Sequence, residues 1–134
     1  MEKEKNKYNL FLDDWRVPLD CATYMYQRGV NCTIYHDEWK VVRSYGDFVL
    51  CIMDNGMPER ISFDYDLDDV FELKETLPIH YWFDIDNNRS YTGLDCAKWL
   101  LRWSSKKSLN IPEIIIHSAN PDGTEELKKL FNKK

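Results

Sequence analysis

The stretch "EIIIHS", residues 113–118, limits the fold of this chain more than any other. Three consecutive isoleucines show no polar alternation, so the strand they form is buried on both faces, as in a helix-covered parallel sheet. Three further apolar runs, Tyr8 to Leu12, Lys40 to Val42 and Arg60 to Phe63, read as companion strands. Helical signals follow three of these runs. Ser44 precedes Tyr45, Phe48, Val49 and Ile52 at helical spacing, and Asp47 completes a capping box. Thr92 and Asp95 do the same for "GLDCAKWLLRW". Asp122 and Glu125 resemble them ahead of a stripe made by Leu127, Leu130 and Phe131. "DCATYMYQRG", between the first two strands, reads as one more helix ended by Gly29, with a loop from Asn31 to Glu38. Strand then helix, four times over, predicts a parallel sheet with helices on both faces. Right-handed crossovers then bring every strand's carboxyl end to one edge.

The 134 residues suffice for one domain with a core, spanning 1–134, and for no second one. No repeat or low-complexity linker interrupts them. The irregular stretch is Asp68 to Tyr91, with Pro78 and the turn signal "DIDNNRS". Its "HYWFDI" reads as an extra strand or hairpin, an insertion placed as a flap over the carboxyl edge. A 43% hydrophobic and 14% aromatic content fits a folded globule rather than a disordered chain. The net charge of -5 argues against nonspecific nucleic-acid binding, so duplex DNA is not an expected partner. The four cysteines show neither CxxC nor Cys/His spacing, which argues against zinc. Cys51 and Cys96 fall on helix faces as reduced thiols. "MEKEKNK" carries no apolar signal segment, and no run approaches the roughly 18 apolar residues of a membrane span. The expectation is a cytoplasmic protein without a membrane partner.

The residues that follow each strand carry the chemistry. After the first come Asp13, Asp14 and Arg16; after the second, Arg43 and Ser44. After the third come Asp64 and Asp66; after the fourth, His117, Ser118 and Asn120. Ligands of open α/β sheets bind outside the strands' carboxyl ends, where this sequence concentrates its acids, arginines and one histidine. Each residue also has a plain structural reading. Asp13 and Asp66 suit turns, Asn120 precedes a proline, Arg43 can pair with an acid, and His36 and His80 read as surface residues. Trp99 and Trp103, four apart on a helix, belong to the core. Convergence is what favours a site. Asp13, Asp14 and Asp64 brought together repel one another, and a hard divalent cation such as Mg²⁺ or Mn²⁺ offsets that repulsion. Arg16 and Arg43 would clamp a phosphate, and His117 would exchange a proton with a reacting oxygen. That set points to metal-assisted phosphoryl chemistry, with Asp64 as an alternative covalent nucleophile.

Five segments, "LFLDDWRVP", "WKVVRSYGDFV", "ISFDYDL", "TGLDCAKWL" and "IIIHSANPDG", together resemble the cyclic-phosphate-processing receiver-like family, a bacterial and phage group. The resemblance runs from about residue 8 to 130, with the segments in order. It implies a receiver-like (flavodoxin-like) three-layer α/β sandwich with a mainly parallel sheet of four or five strands. It implies a phosphoesterase acting on cyclic phosphates of nucleotides or RNA ends. By position, Asp13, Asp14 and Asp64 would form the metal pocket, with Asp64, Asp66 and His117 catalytic. Arg16, Arg43, Ser118 and Asn120 would bind phosphate. Tyr65 stands where the family pattern has a histidine, and the Asp68 to Tyr91 segment is longer than the minimal connection. Competing readings are a non-catalytic receiver-like binding or interaction protein and, less favoured, a phosphoacceptor receiver. The latter would need a fifth strand ending in lysine, and none is visible. A haloacid-dehalogenase-like phosphatase, suggested by "ISFDYDL", has its acids in the wrong order.

Overall fold

The computed structural model describes residues 8–26, 35, 38–67 and 91–132. Four strands lie where the apolar runs place them: β1 (Asn9–Leu12), β2 (Lys40–Val42), β3 (Arg60–Phe63) and β4 (Glu113–Ile116). They form one sheet in the order β2-β1-β3-β4, every neighbouring pair parallel. The helices are α1 (Pro18–Tyr26), α2 (Tyr45–Asn55), α3 (Gly93–Lys107) and α4 (Pro121–Asn132). The α/β sandwich expected from the strand–helix alternation is therefore present, with four strands among the described residues.

Side chains alternate across each strand, so each of β1, β3 and β4 contributes to both faces of the sheet. Leu10, Leu12, Ile61, Phe63, Ile114 and Ile116 face α2, α3 and α4, where Phe48, Ile52, Leu100 and Leu127 complete the larger core. Phe11 and Ile115 face the other way, against Cys21 of α1, Tyr35 and Trp39. Trp99 and Trp103 stack with ring centroids 5.3 Å apart and pack on the larger core, as their spacing implies.

The helix starts follow local chemistry. Ser44 Oγ accepts from the Asp47 amide at 3.1 Å, and the Thr92 amide donates to Asp95 Oδ2 at 2.8 Å. A cap of this kind is worth about 1 kcal/mol. Two starts differ from expectation. Helix α1 begins at Pro18, ahead of Asp20, because proline suits a first helical position and loses no hydrogen bond there. Helix α4 is capped by Asn120 rather than Asp122: Asn120 Oδ1 accepts from the Gly123 amide at 2.9 Å, and Pro121 opens the helix. Gly29, His36, His80, Cys32 and the segment from Asp68 to Ser90, including "HYWFDI", lie outside the described residues. No described helix is long and apolar enough to cross a membrane.

Candidate functional site

Asp13, Asp64 and His117 each occupy the first position past a strand. Their backbones are still held by the ladder: the amides of Asp13, Asp64 and His117 donate to the carbonyls of Val42, Leu12 and Phe63 at 3.2, 3.0 and 2.9 Å. Strand alternation turns all three side chains to the α1 face, above Phe11. The His117 ring stacks on Phe11, centroids 4.5 Å apart and planes 4° from parallel. Asp13 and His117 are fully buried, and Asp64 is 5% exposed. One ligand atom from each of these three side chains lies within 4.8 Å of the others, so the trio could hold a metal ion.

The buried polar groups form a chain. His117 Nε2 lies 3.0 Å from Asp13 Oδ2, and His117 Nδ1 lies 2.7 Å from Ser62 Oγ. Ser62 Oγ lies in turn 2.7 Å from the Tyr35 hydroxyl. Asp13 Oδ1 accepts from the amides of Trp15 and Arg16 at 3.0 and 2.9 Å, and Oδ2 also lies 3.5 Å from Arg16 Nη1. Asp13 thus accepts from two backbone amides and lies beside the Arg16 guanidinium and the His117 ring, which is the setting of an ionised carboxylate. Burial alone pushes its pKa up, but the hydrogen bonds from His117, Trp15 and Arg16 outweigh it and bring it to about 2. An ionised carboxylate only accepts, so His117 carries its proton on Nε2 and accepts from Ser62 at Nδ1. Burial lowers the His117 pKa, with Asp13 opposing, and the neutral ring fits that direction.

Asp64 is the strained member. Its Oδ1 accepts from the Tyr65 amide at 2.9 Å, and its second oxygen has no hydrogen-bond partner among the described residues. Burial and then the Asp13 charge raise its pKa to about 7. Gly93, at the start of α3, holds the Asp64 backbone in place. Its amide donates to Tyr65 O at 2.7 Å, and a Cβ there would stand 1.8 Å from Asp64 O. Tyr65, the residue that departs from the family pattern, points away to α4. Its hydroxyl donates to Glu126 at 3.1 Å and its ring fills the space a Cβ on Gly123 would need.

Above these groups a cleft of about 440 Å³ opens at the carboxyl edge, lined by Asp14, Trp15, Arg16, Asp64, Asp66, Ala119, Asn120 and Pro121. Asn120 Nδ2 donates to Asp66 Oδ2 at 3.1 Å within it. A larger cleft of about 600 Å³ at the opposite edge mixes Glu38 and Glu59 with Lys40 and Arg60, so its charges balance. Of the residues singled out from sequence, Asp14, Arg16, Asp64, Asp66 and Asn120 share the carboxyl-edge cleft, while Asp13 lies beneath it. Three others lie off its walls. His117 is buried with both ring nitrogens engaged. Arg43 Nη1 donates to the backbone carbonyls of Arg16 and Asp13 at 2.6 and 3.3 Å, bracing the loop after β1. Ser118 is buried, and its hydroxyl accepts from the Asn120 amide at 3.0 Å. Sequence reasoning missed Ser62, Tyr35 and Trp15. Ser62 carried a signal: it is polar inside "RISF" and two residues before Asp64, hence on the same face.

A four-stranded parallel α/β sandwich with a buried acid pair across two adjacent strand ends defines a receiver-type domain. The family model for the cyclic-phosphate processing receiver domain matches residues 8–133, and the chain belongs to that family. No curated protein and no solved structure matches the chain significantly.

Proposed function

We propose that the carboxyl-edge cleft is the active site of a metal-assisted phosphoesterase that opens cyclic phosphates of nucleotides or RNA ends. The observation that carries this reading is Asp64: a buried carboxylate with one oxygen unpartnered among the described residues, next to the ionised Asp13 and facing Arg16. Two buried carboxylates so placed fit a divalent cation, which removes both their repulsion and the unmet acceptor. Asp64 and Asp13 would hold Mg²⁺ or Mn²⁺, with Asp14 completing the set. When bound, the ion would supply charge for the phosphate oxygens.

The chain's own residues would do the rest. Arg16, which lines the cleft and is tethered to Asp13, presents a planar guanidinium to a phosphate oxygen. Asp66 keeps one carboxylate oxygen on Asn120, and the other has no partner among the described residues, so it can take the proton of an attacking water. Water adds at phosphorus, one ring P–O bond breaks, and the departing oxygen gains a proton, leaving a phosphomonoester and a free hydroxyl. His117 acts in this scheme by holding Asp13, because its ring is buried with both nitrogens engaged.

Incubation with 2',3'-cyclic nucleotides, 3',5'-cyclic nucleotides and cyclic-phosphate-ended RNA, with and without Mg²⁺ or Mn²⁺, tests the reading. Metal-dependent turnover that Asp14→Asn and Asp64→Asn abolish is the expected result. No turnover of any of the three by folded protein with metal present rejects it. The burial of His117 favours a second reading, a binding module without turnover, which the same screen separates through binding in the absence of product.

A further inference from the structure

Four large hydrophobic side chains stand exposed among the described residues, and three of them, Trp15, Val17 and Leu19, fall within five positions. All three follow the acid pair that ends β1. Scattered apolar residues are ordinary on a surface, but an exposed aromatic that also lines a polar cleft is placed to meet what binds there. Trp15 is 67% exposed and also lines the carboxyl-edge cleft, beside Arg16, Asp64 and Asn120. Its root is fixed, because the Trp15 amide donates to Asp13 Oδ1 at 3.0 Å. The Trp15 backbone is therefore fixed at the rim by the same carboxylate that anchors the floor.

The Arg16 guanidinium carbon lies 5.1 Å from the indole centroid, while Nη1 of the same side chain reaches Asp13 Oδ2 at 3.5 Å. The guanidinium thus lies over one face of the indole at the mouth of a polar cleft, and a base would stack on the opposite face. A purely apolar partner would gain from the indole but would set apolar surface against the Arg16 guanidinium. A nucleotide meets both. Its base offers a flat π face for the indole, and its phosphate offers oxygens for the arginine fork. A cleft of about 440 Å³ is within the size range of small-molecule sites.

We propose that Trp15 is the platform on which the base of a nucleotide ligand stacks while its phosphate lies over Arg16 and Asp64. The inference rests on the phosphate-binding reading of the cleft and adds to it a preference for ligands that carry a base. Trp15 is thereby the residue that separates nucleotide cyclic phosphates from cyclic phosphates on a bare polyol.

The test is the apparent affinity, in the presence of Mn²⁺, for adenosine 2',3'-cyclic phosphate and for glycerol 1,2-cyclic phosphate, which has no base, read as KM where product forms and by calorimetry where it does not. Wild type, Trp15→Ala and Trp15→Phe are compared, and the exposure of the side chain keeps the fold intact in both variants. The expected result is that Trp15→Ala weakens the adenosine ligand by roughly 5- to 150-fold, the range of base–aromatic stacking. It leaves the glycerol ligand within about two-fold, while Trp15→Phe retains most of the adenosine affinity. Equal losses for both ligands, or no loss for either, overturn the stacking inference alone and leave the phosphate site standing. Failure of wild type to bind either ligand overturns both.

Discussion

The buried Asp64 carboxylate sets a measurable pH dependence, which the substitution Asp64→Asn isolates. In the unfolded chain the group ionises at its ordinary value of 3.8, and in the folded protein only at about 7. Between those values the folded state binds the extra proton, so the wild-type protein loses stability as pH rises from about 4 to about 7 and the loss levels off above it. The gap of 7 minus 3.8, at 1.36 kcal/mol for each pH unit, corresponds to about 4 kcal/mol at pH 8, an upper value because local relaxation admits water. Asparagine keeps the shape and the acceptor for the Tyr65 amide but carries no charge. The variant is therefore expected to exceed wild type by about 2–4 kcal/mol at pH 8 in the absence of metal, and by almost nothing at pH 4. Urea unfolding followed by tryptophan fluorescence reads this as a midpoint increase of about 1–2 M at pH 8, given a slope near 2 kcal/mol/M for a domain of this size. Added Mn²⁺ or Mg²⁺ works in the opposite sense. It stabilises wild type more at pH 8 than at pH 5, by about 2.7 kcal/mol at one hundred times its dissociation constant, and it barely affects the variant. A stability difference that does not change with pH, or a variant weaker than wild type at pH 8, refutes the argument that Asp64 is a strained acid.

Two further substitutions examine the supports of the site. Gly93→Ala places a methyl group 1.8 Å from the Asp64 carbonyl, so α3 or the end of β3 must move. A loss of about 1–3 kcal/mol in urea is expected, and an unchanged midpoint would show that this approach is not tight. Ser62→Ala removes the hydroxyl on His117 Nδ1 at 2.7 Å and costs about 1–3 kcal/mol through the unmet buried acceptor. Imidazole ¹⁵N shifts of the variant should report a changed environment at Nδ1 while Nε2 remains protonated toward Asp13. An Nδ1 signal identical to wild type would count against the hydrogen-bonded chain.

Most of the fold could be read from the sequence because its determinants are local. The run Ile114 to Ile116 marked a parallel strand, although β4 lies at the edge of the sheet with its isoleucines half-buried rather than enclosed on both faces. Ser44 and Thr92 mark helix starts by atoms within a single turn. Where the sequence misled, two local signals competed. At α4 both Asn120 and Asp122 suit a cap, and Pro121 decides between them by opening the helix one residue after Asn120. The location of the site was readable for a topological reason: parallel strands place Asp13, Asp64 and His117 at one edge whatever their partners. What those side chains do there was not readable, because it depends on pairings between residues as far apart as Asp13 and His117. Period-two alternation nevertheless contained part of the answer. Phe11 and Asp13, Ser62 and Asp64, and Ile115 and His117 each lie two positions apart, so an apolar or hydroxyl-bearing residue sits directly below each polar one on the same face. A histidine above a stack of Phe11, with Ser62 on its inner nitrogen, is enclosed before any ligand arrives. Arg43 follows the same logic: a guanidinium one residue past β2, beside the loop that leaves β1, finds the carbonyls of that loop closer than any phosphate. The reactive surface is thereby reduced to the groups the loops carry outward, Asp14, Arg16, Asp66 and Asn120, resting on one buried acid whose charge is only half compensated.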